Sequence, residues 1–286
     1  MLFVELIAQG LVQGSIYALI ALGLTLVYGL LRILHVAHAA LFTLGGYIGV
    51  LVTNQFGSLG LAIAVAMAVT GMAGVLMYRF CYEPILHHPP FVALIASIGL
   101  FIASEEIYRL VFGAYGLSYA NPPLQGHVAI GALSFKQAEL LVMGGGALVI
   151  AVLAALQSRT RLGIACQATV TDPQMAESFG IDLKTVRYVN FFVGSALAGA
   201  AGVMVALLNN LVEPTMGSVP SYKALAIIVL GGLGSIPGTL MAALTLGIVE
   251  AFGTIYLGKL LDRNAIAFAF LILVLMVRPQ GLFARK

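Results

Sequence analysis

Charge is scarce in this chain: 286 residues hold only 14 Lys and Arg and 11 Asp and Glu, so 9% of the sequence is charged and 61% is hydrophobic. Soluble domains run at about 25% charged and 45–50% apolar, which excludes an ordinary water-soluble fold. Tryptophan is absent, and Cys81 and Cys166 are the only cysteines. Two cysteines are too few for a disulfide scaffold and are not spaced as a metal knuckle, so packing alone must stabilise the fold. Collagen, coiled coil and disorder are excluded by the same composition, and a net charge of +3 gives no footprint for a nucleic-acid partner.

What is present is a series of charge-free apolar runs. Residues 33–78 contain no Asp, Glu, Lys or Arg, enough to cross a bilayer twice at about 20 residues per helix. Further runs cover residues 6–31, 84–104, 140–158, 188–212, 224–249 and, more briefly, 264–277. Backbone polar groups cannot stay unpaired in hydrocarbon, so these runs must be helices or broken helices covered by others. Alternating ten-residue strands, the mark of an outer-membrane barrel, are absent. The expectation is an all-α, polytopic transmembrane helical bundle of about eight to ten segments.

The first basic residue is Arg32, after an apolar run of full spanning length, so the first segment is expected to remain as a helix. Cytoplasmic loops retain an excess of Lys and Arg. Arg159, Arg161, Lys184 and Arg187 flank one polar stretch, and that stretch and the tail of Arg278, Arg285 and Lys286 are placed in the cytoplasm. Arg32 and Arg79 join them if the amino terminus lies outside. Lys259 and Arg263 fit less well, on a turn expected outside.

Residues 160–182 form that polar stretch. Asp172 can cap a helix, Pro173 suits its first position, and Gly180 can end it in a left-handed conformation. A short helix from about Pro173 to Phe179 follows, with Met175, Ala176 and Phe179 expected on one side. It is too short to stand alone and must pack on its own protein or dock into a partner.

Here the sequence resembles the integral-membrane permease subunits of bacterial ABC importers for branched-chain amino acids, a family with urea and amide relatives. The resemblance runs over nearly the whole chain. It is carried by Thr160, Gly163, Ala165, Asp172, Ala176, Gly180 and Ile181, and by Leu-Gly-Gly-Leu-Gly-Ser-Ile-Pro-Gly at residues 230–238. Gly-Ser-Ile-Tyr-Ala-Leu at 14–19 and Arg-Pro-Gln-Gly-Leu at 278–282 add to it. The chain departs from the family at Ile164 and Gln167, where Arg is common, and at residues 35–39.

The resemblance implies one transmembrane permease domain over residues 1–286, in the bacterial inner membrane, with a cytoplasmic coupling segment at 160–182. Thr160, Arg161, Gly163, Ala165, Asp172, Ala176 and Gly180 would then couple the permease to an ATPase. Implied partners are a second permease subunit, two cytoplasmic ATP-binding subunits, an external solute-binding protein and membrane lipid. The chain would hold no cofactor, ATP and magnesium being bound by partner subunits. It would perform no reaction of its own and would move a small amino acid or amide-like solute inward.

Gly231, Gly232, Gly234 and Gly238, with Pro237, interrupt an apolar stretch, so a helix must break or re-enter there. Such breaks mark transport paths or close packing, and both readings stand for 231–238. Ser235 is the one hydrogen-bonding side chain in the break. The GxxxG pairs Gly10/Gly14 and Gly45/Gly49 point to helix packing.

Ionisable groups inside apolar runs need an account. Glu105 and Arg109 have the spacing to pair, with Glu106 facing the headgroups. Glu250 has no partner nearby in sequence and is either a buried, hydrogen-bonded carboxylate or part of a polar path. His35 and His38 can share a helix face, but two ligands do not make a metal site. His38 is read either as lining the path or as an interfacial imidazole. Residues 253–259 imitate a phosphate-binding loop, yet Leu260 stands where a hydroxyl is needed and no strand precedes it. No hydrolytic nucleophile pattern occurs. The competing reading is an ion- or proton-coupled secondary transporter or channel, for which Glu250 and the histidines would supply the relay.

Overall fold

Glycine and alanine, which let helix backbones meet, set the arrangement of the chain. The computed structural model describes residues 2–130, 133–278 and 281–282. The helices are α1 (Leu2–Leu31), α2 (His38–Phe56), α3 (Leu59–Met77), α4 (Pro90–Phe112), α5 (Gln137–Arg159), α6 (Arg161–Thr171), α7 (Pro173–Ser178), α8 (Leu183–Asn209), α9 (Ser218–Gly231), α10 (Ile236–Leu257) and α11 (Arg263–Val277). Seven spans are long and apolar enough to cross a membrane, and α9 and α11 are shorter apolar helices. These nine segments, among the described residues, fall within the expected number.

Two antiparallel ribbons were not expected. One pairs β1 (Leu117–Ser118) with β4 (Leu211–Val212), and the other pairs β2 (His127–Ile130) with β3 (Leu133–Lys136). Both lie in the connections between helices, where a ribbon satisfies backbone groups that a loop would leave to water.

Helices α1 and α8 are buried over most of their length, whereas α3, α4 and α5 bury only a minority of theirs. The first pair is therefore the centre of the bundle and the others lie on its outside. Small residues bring the central helices together. A Cβ on Gly10 would sit 2.7 Å from the Cα of Ile248, and one on Gly14 would sit 2.9 Å from that of Leu244, so α1 runs antiparallel against α10. Gly45 lies on the backbone of Gly199, and Gly49 on the side chain of Val203, locking α2 to α8. Both GxxxG pairs serve packing, as their spacing suggests.

Two irregular segments penetrate this core. After Arg32, which has φ +52°, the chain turns back along α1 without regular structure. As a result His38, at the start of α2, contacts Gly23 and the Ile20 carbonyl beside the middle of α1. The Ala37 N–H donates to Ser97 Oγ at 2.9 Å. Similarly, the turn before α9 places Gly217 against the Ala39 carbonyl. Unwound backbone survives at depth because protein covers it.

Arg32, Arg79, Arg159, Arg161, Lys184 and Arg187 gather at one end of the bundle, with α6 and α7. This is therefore the basic end of the bundle, the end that the excess of Lys and Arg is expected to place in the cytoplasm. The turn carrying Lys259 and Arg263 is at the opposite end, where Phe252 of α10 meets Phe3 of α1. Of the basic tail, Arg285 and Lys286 lie outside the described residues, as do Pro279 and Gln280.

Candidate functional site

The platform at the basic end is built from successive caps. Thr160 Oγ1 accepts from the Gly163 N–H at 3.1 Å and opens α6, a helix the polar composition of 160–171 did not announce. Arg161, the first residue of α6, is exposed, and Ala165 is half-buried. Gly163 is pressed onto the backbone of Leu156 and Gln157, so α6 folds directly back on α5. On its other side Asn190 Nδ2 of α8 donates to Cys166 Sγ at 2.8 Å. Burial pushes the Cys166 thiol pKa up, keeping it a neutral packing group.

Asp172 then caps α7, its carboxylate accepting from the Met175 N–H at 3.0 Å, with Pro173 in the first turn. Gly180 at φ +82° ends the helix, and the Ile181 N–H closes back on the Ala176 carbonyl at 3.1 Å. Asp182 caps α8 in turn, and the Thr185 hydroxyl and the Lys184 N–H hold its carboxyl below the usual range. Lys184 reaches across to Glu83 at 3.0 Å. A six-residue helix is thus fixed at both ends by its own sequence.

The faces of α7 differ from the expected arrangement. Ala176 is 2% exposed and turned onto the protein, whereas Met175 is 55% and Phe179 81% exposed. Helical geometry explains this: residues four apart share a face and adjacent ones do not, so Met175 and Phe179 pair while Ala176 turns away. Two large apolar side chains are left uncovered under the bundle.

The glycine break forms a tight connection from α9 to α10 at this same end. Gly232 and Gly234 take φ +91° and +83°, a conformation that favours glycine. Gly231 and Gly238 sit backbone to backbone, leaving no room for a Cβ on either. Ser235 Oγ accepts from the Gly238 N–H at 3.2 Å, so its hydroxyl is engaged as the cap of α10. Gly234 faces Gly29 and, with Gln167 and Asn190, lines a cavity of about 240 Å³ beneath α6. The break therefore touches the platform.

At the opposite end Glu250, fully buried, has three partners that sequence reasoning missed. Tyr17 Oη donates to its Oε2 at 2.7 Å, Lys223 Nζ lies 2.8 Å from Oε1, and Arg263 Nε donates to Oε2 at 3.1 Å. Lys223 also donates to Tyr17 Oη at 2.8 Å. The signal available was Lys223 itself, the last charge before the run at 224–249. Arg263, which fits poorly on a turn expected outside, helps neutralise a buried carboxylate.

The remaining candidates are structural in their contacts. His38 is buried, with Nε2 3.2 Å from the Ile20 carbonyl, and His35 Nδ1 is 2.7 Å from Tyr82 Oη. Glu105 does not pair with Arg109: it accepts from Ser218 Oγ at 2.8 Å, while Arg109 pairs with Glu106 at 2.6 Å. The side chain three residues away competed successfully because Ser218 of α9 satisfies Glu105 from across the bundle.

The family described as "Branched-chain amino acid transport system / permease component" matches residues 6–277. The chain belongs to this family. The permease is 32% identical to the high-affinity branched-chain amino acid transport system permease protein BraD of Pseudomonas aeruginosa, over 99% of this chain and 96% of that one. It is 31% identical, with the same coverage, to the corresponding LivH of Escherichia coli K12. Its fold is similar to that of PsaBC from Streptococcus pneumoniae, solved in complex with Fab, with TM-score 0.52 and 12% identity over 95% of this chain and 91% of that one. The permease is accordingly a transport subunit and a multi-pass membrane protein.

Proposed function

We propose that this chain is the permease subunit of an ABC importer in the bacterial inner membrane, carrying a small amino acid into the cytoplasm at the expense of ATP hydrolysed by other polypeptides. Branched aliphatic amino acids are the first candidates, since the relatives are named for them. The carrying observation is α7: capped at both ends, seated through Ala176, and presenting Met175 and Phe179 outward at the basic end. An apolar pair on a short rigid rod is what a partner's groove recognises.

Two ATP-binding subunits would seat on α6 and α7 of this permease and of a second, homologous or identical one, with an external binding protein delivering the solute. Thr160, Asp172 and Gly180 set the rod, Gly163 and Ala176 fix it to α5 and the bundle, and Arg161 and Ala165 lie along α6. Displacement of a docked ATPase would pass through α6 to α5 and α8 as a rigid-body motion, the linkage alternating access requires. The chain needs no cofactor for this role.

Against the proton- or ion-coupled alternative, Glu250 is held by Tyr17, Lys223 and Arg263 rather than left free as a relay. Proteoliposomes containing the permease pair, its ATPases and binding protein test the choice. Uptake of L-leucine that requires internal ATP is expected. Uptake driven by a proton gradient and indifferent to ATP would overturn it.

A further inference from the structure

The Glu250 cluster has an open side. Tyr17, Lys223 and Arg263 face a cavity of about 300 Å³ at the end of the bundle opposite α7, the lower end of the roughly 300–1,000 Å³ found for small-molecule sites. In direct contact two cations meet one carboxylate there, an excess of one positive charge, while Asp262 acts on Lys223 from farther off. Arg263 spends only Nε on Glu250, and its terminal nitrogens make no hydrogen bond among the described residues; the side chain is 44% exposed. Asp262, its chain neighbour, accepts instead from the Asn264 N–H at the start of α11.

The rest of the lining is divided. Gln13, Asn209 and Asn264 bring amides, while Ile16, Leu208 and Val219 belong to an aliphatic wall. A cavity lined by charged groups, amides and hydrocarbon together suits a small ligand with an anionic head and an aliphatic tail.

We propose that this outward cavity is a carboxylate-recognition vestibule, in which the Arg263 guanidinium, backed by Lys223, receives the α-carboxylate of an aliphatic amino acid and Asn209 receives its ammonium group. Glu250 positions both cations: it neutralises them enough to be buried, and leaves one charge for the ligand. The planar guanidinium, with its terminal N–H groups free, can bind a carboxylate through two parallel hydrogen bonds. The vestibule deepens the importer reading and rests on it, since it names the chemical class the pore accepts on its outer side.

The test uses the assembled permease–ATPase complex in nanodiscs without binding protein, with saturation-transfer NMR as readout. L-leucine and L-leucinamide, which has the same hydrocarbon but no carboxylate, are the probes. Leucine is expected to bind and leucinamide to bind much more weakly. Arg263→Gln is expected to weaken leucine binding by about tenfold or more, the scale of a lost charge-assisted contact, with Arg263→Lys recovering part of it. Asn209→Ala, which leaves the ion cluster intact, is expected to weaken leucine as well. Equal binding of leucine and leucinamide to the unmodified complex overturns the vestibule, a result that does not depend on any variant folding. So does leucine affinity unchanged in Arg263→Gln. If ATP-driven uptake persists in either case, only the vestibule falls; if no uptake depends on ATP, the importer reading falls instead.

Discussion

Lys223 Nζ lies 2.8 Å from Glu250 Oε1, joining α9 to α10 through a pair in which neither side chain is more than 5% exposed. Charges at this depth persist only when paired. Removing Lys223 leaves the buried Glu250 with only Tyr17 and the partly exposed Arg263, at a cost of up to about 3–5 kcal/mol. Lys223→Met is expected to destabilise the permease by about that amount. The double variant Lys223→Met, Glu250→Gln is expected to recover much of the loss. Chemical unfolding in micelles measures both, and a double variant no better than the single one would count against the pair.

The platform divides into seating and contact residues. Gly163→Leu must push α6 off the backbone of Leu156 and Gln157, and Ala176→Leu must lift α7, so both are expected to lower stability and ATPase co-purification together. Met175→Ala and Phe179→Ala truncate side chains that are largely exposed in this chain. They are expected to reduce co-purification while stability stays within about 0.5 kcal/mol. Intact co-purification of the Met175, Phe179 double variant would refute the docking role of that face.

Asp172 tests the rod itself. Asp172→Ala removes the acceptor for the Met175 N–H and is expected to cost about 1 kcal/mol. Local fraying should appear as faster amide exchange across 173–178, and Asp172→Ser should restore protection. Equal exchange in all three proteins would show that the cap is dispensable.

The glycines separate by neighbour. Gly202 lies on the Phe42 carbonyl between α8 and α2, and Gly202→Ala is expected to destabilise by about 1–3 kcal/mol through overpacking. Gly144 on α5 has nothing close to its missing Cβ. Gly144→Ala is expected to be neutral or to gain about 0.5–1 kcal/mol from helix propensity. Thermal unfolding of the two variants side by side decides whether helix contact or helix propensity governs these positions.

Much of this was readable before any coordinates. Charge-free runs announced the membrane helices because unpaired backbone is too costly in hydrocarbon, and Asp172, Pro173 and Gly180 announced α7 because capping is local chemistry. The glycine break was legible as a break, but whether it packed or lined a path was not, since that depends on Gly29 and α6 lying beside Gly234. Helix α6 was missed because Thr, Gln and Ala give it little periodicity; its stability comes from Gly163 on α5 and Cys166 against Asn190.

The amino-acid order alone determined that this is a multi-pass helical protein with a capped rod at its basic end, because solvent exclusion and capping act over a few neighbouring residues. Only the tertiary structure decided who meets Glu250, which side of α7 is uncovered, and that the chain re-enters after Arg32. Those facts depend on contacts between residues up to 233 positions apart, and no local pattern in a chain encodes the identity of a distant partner.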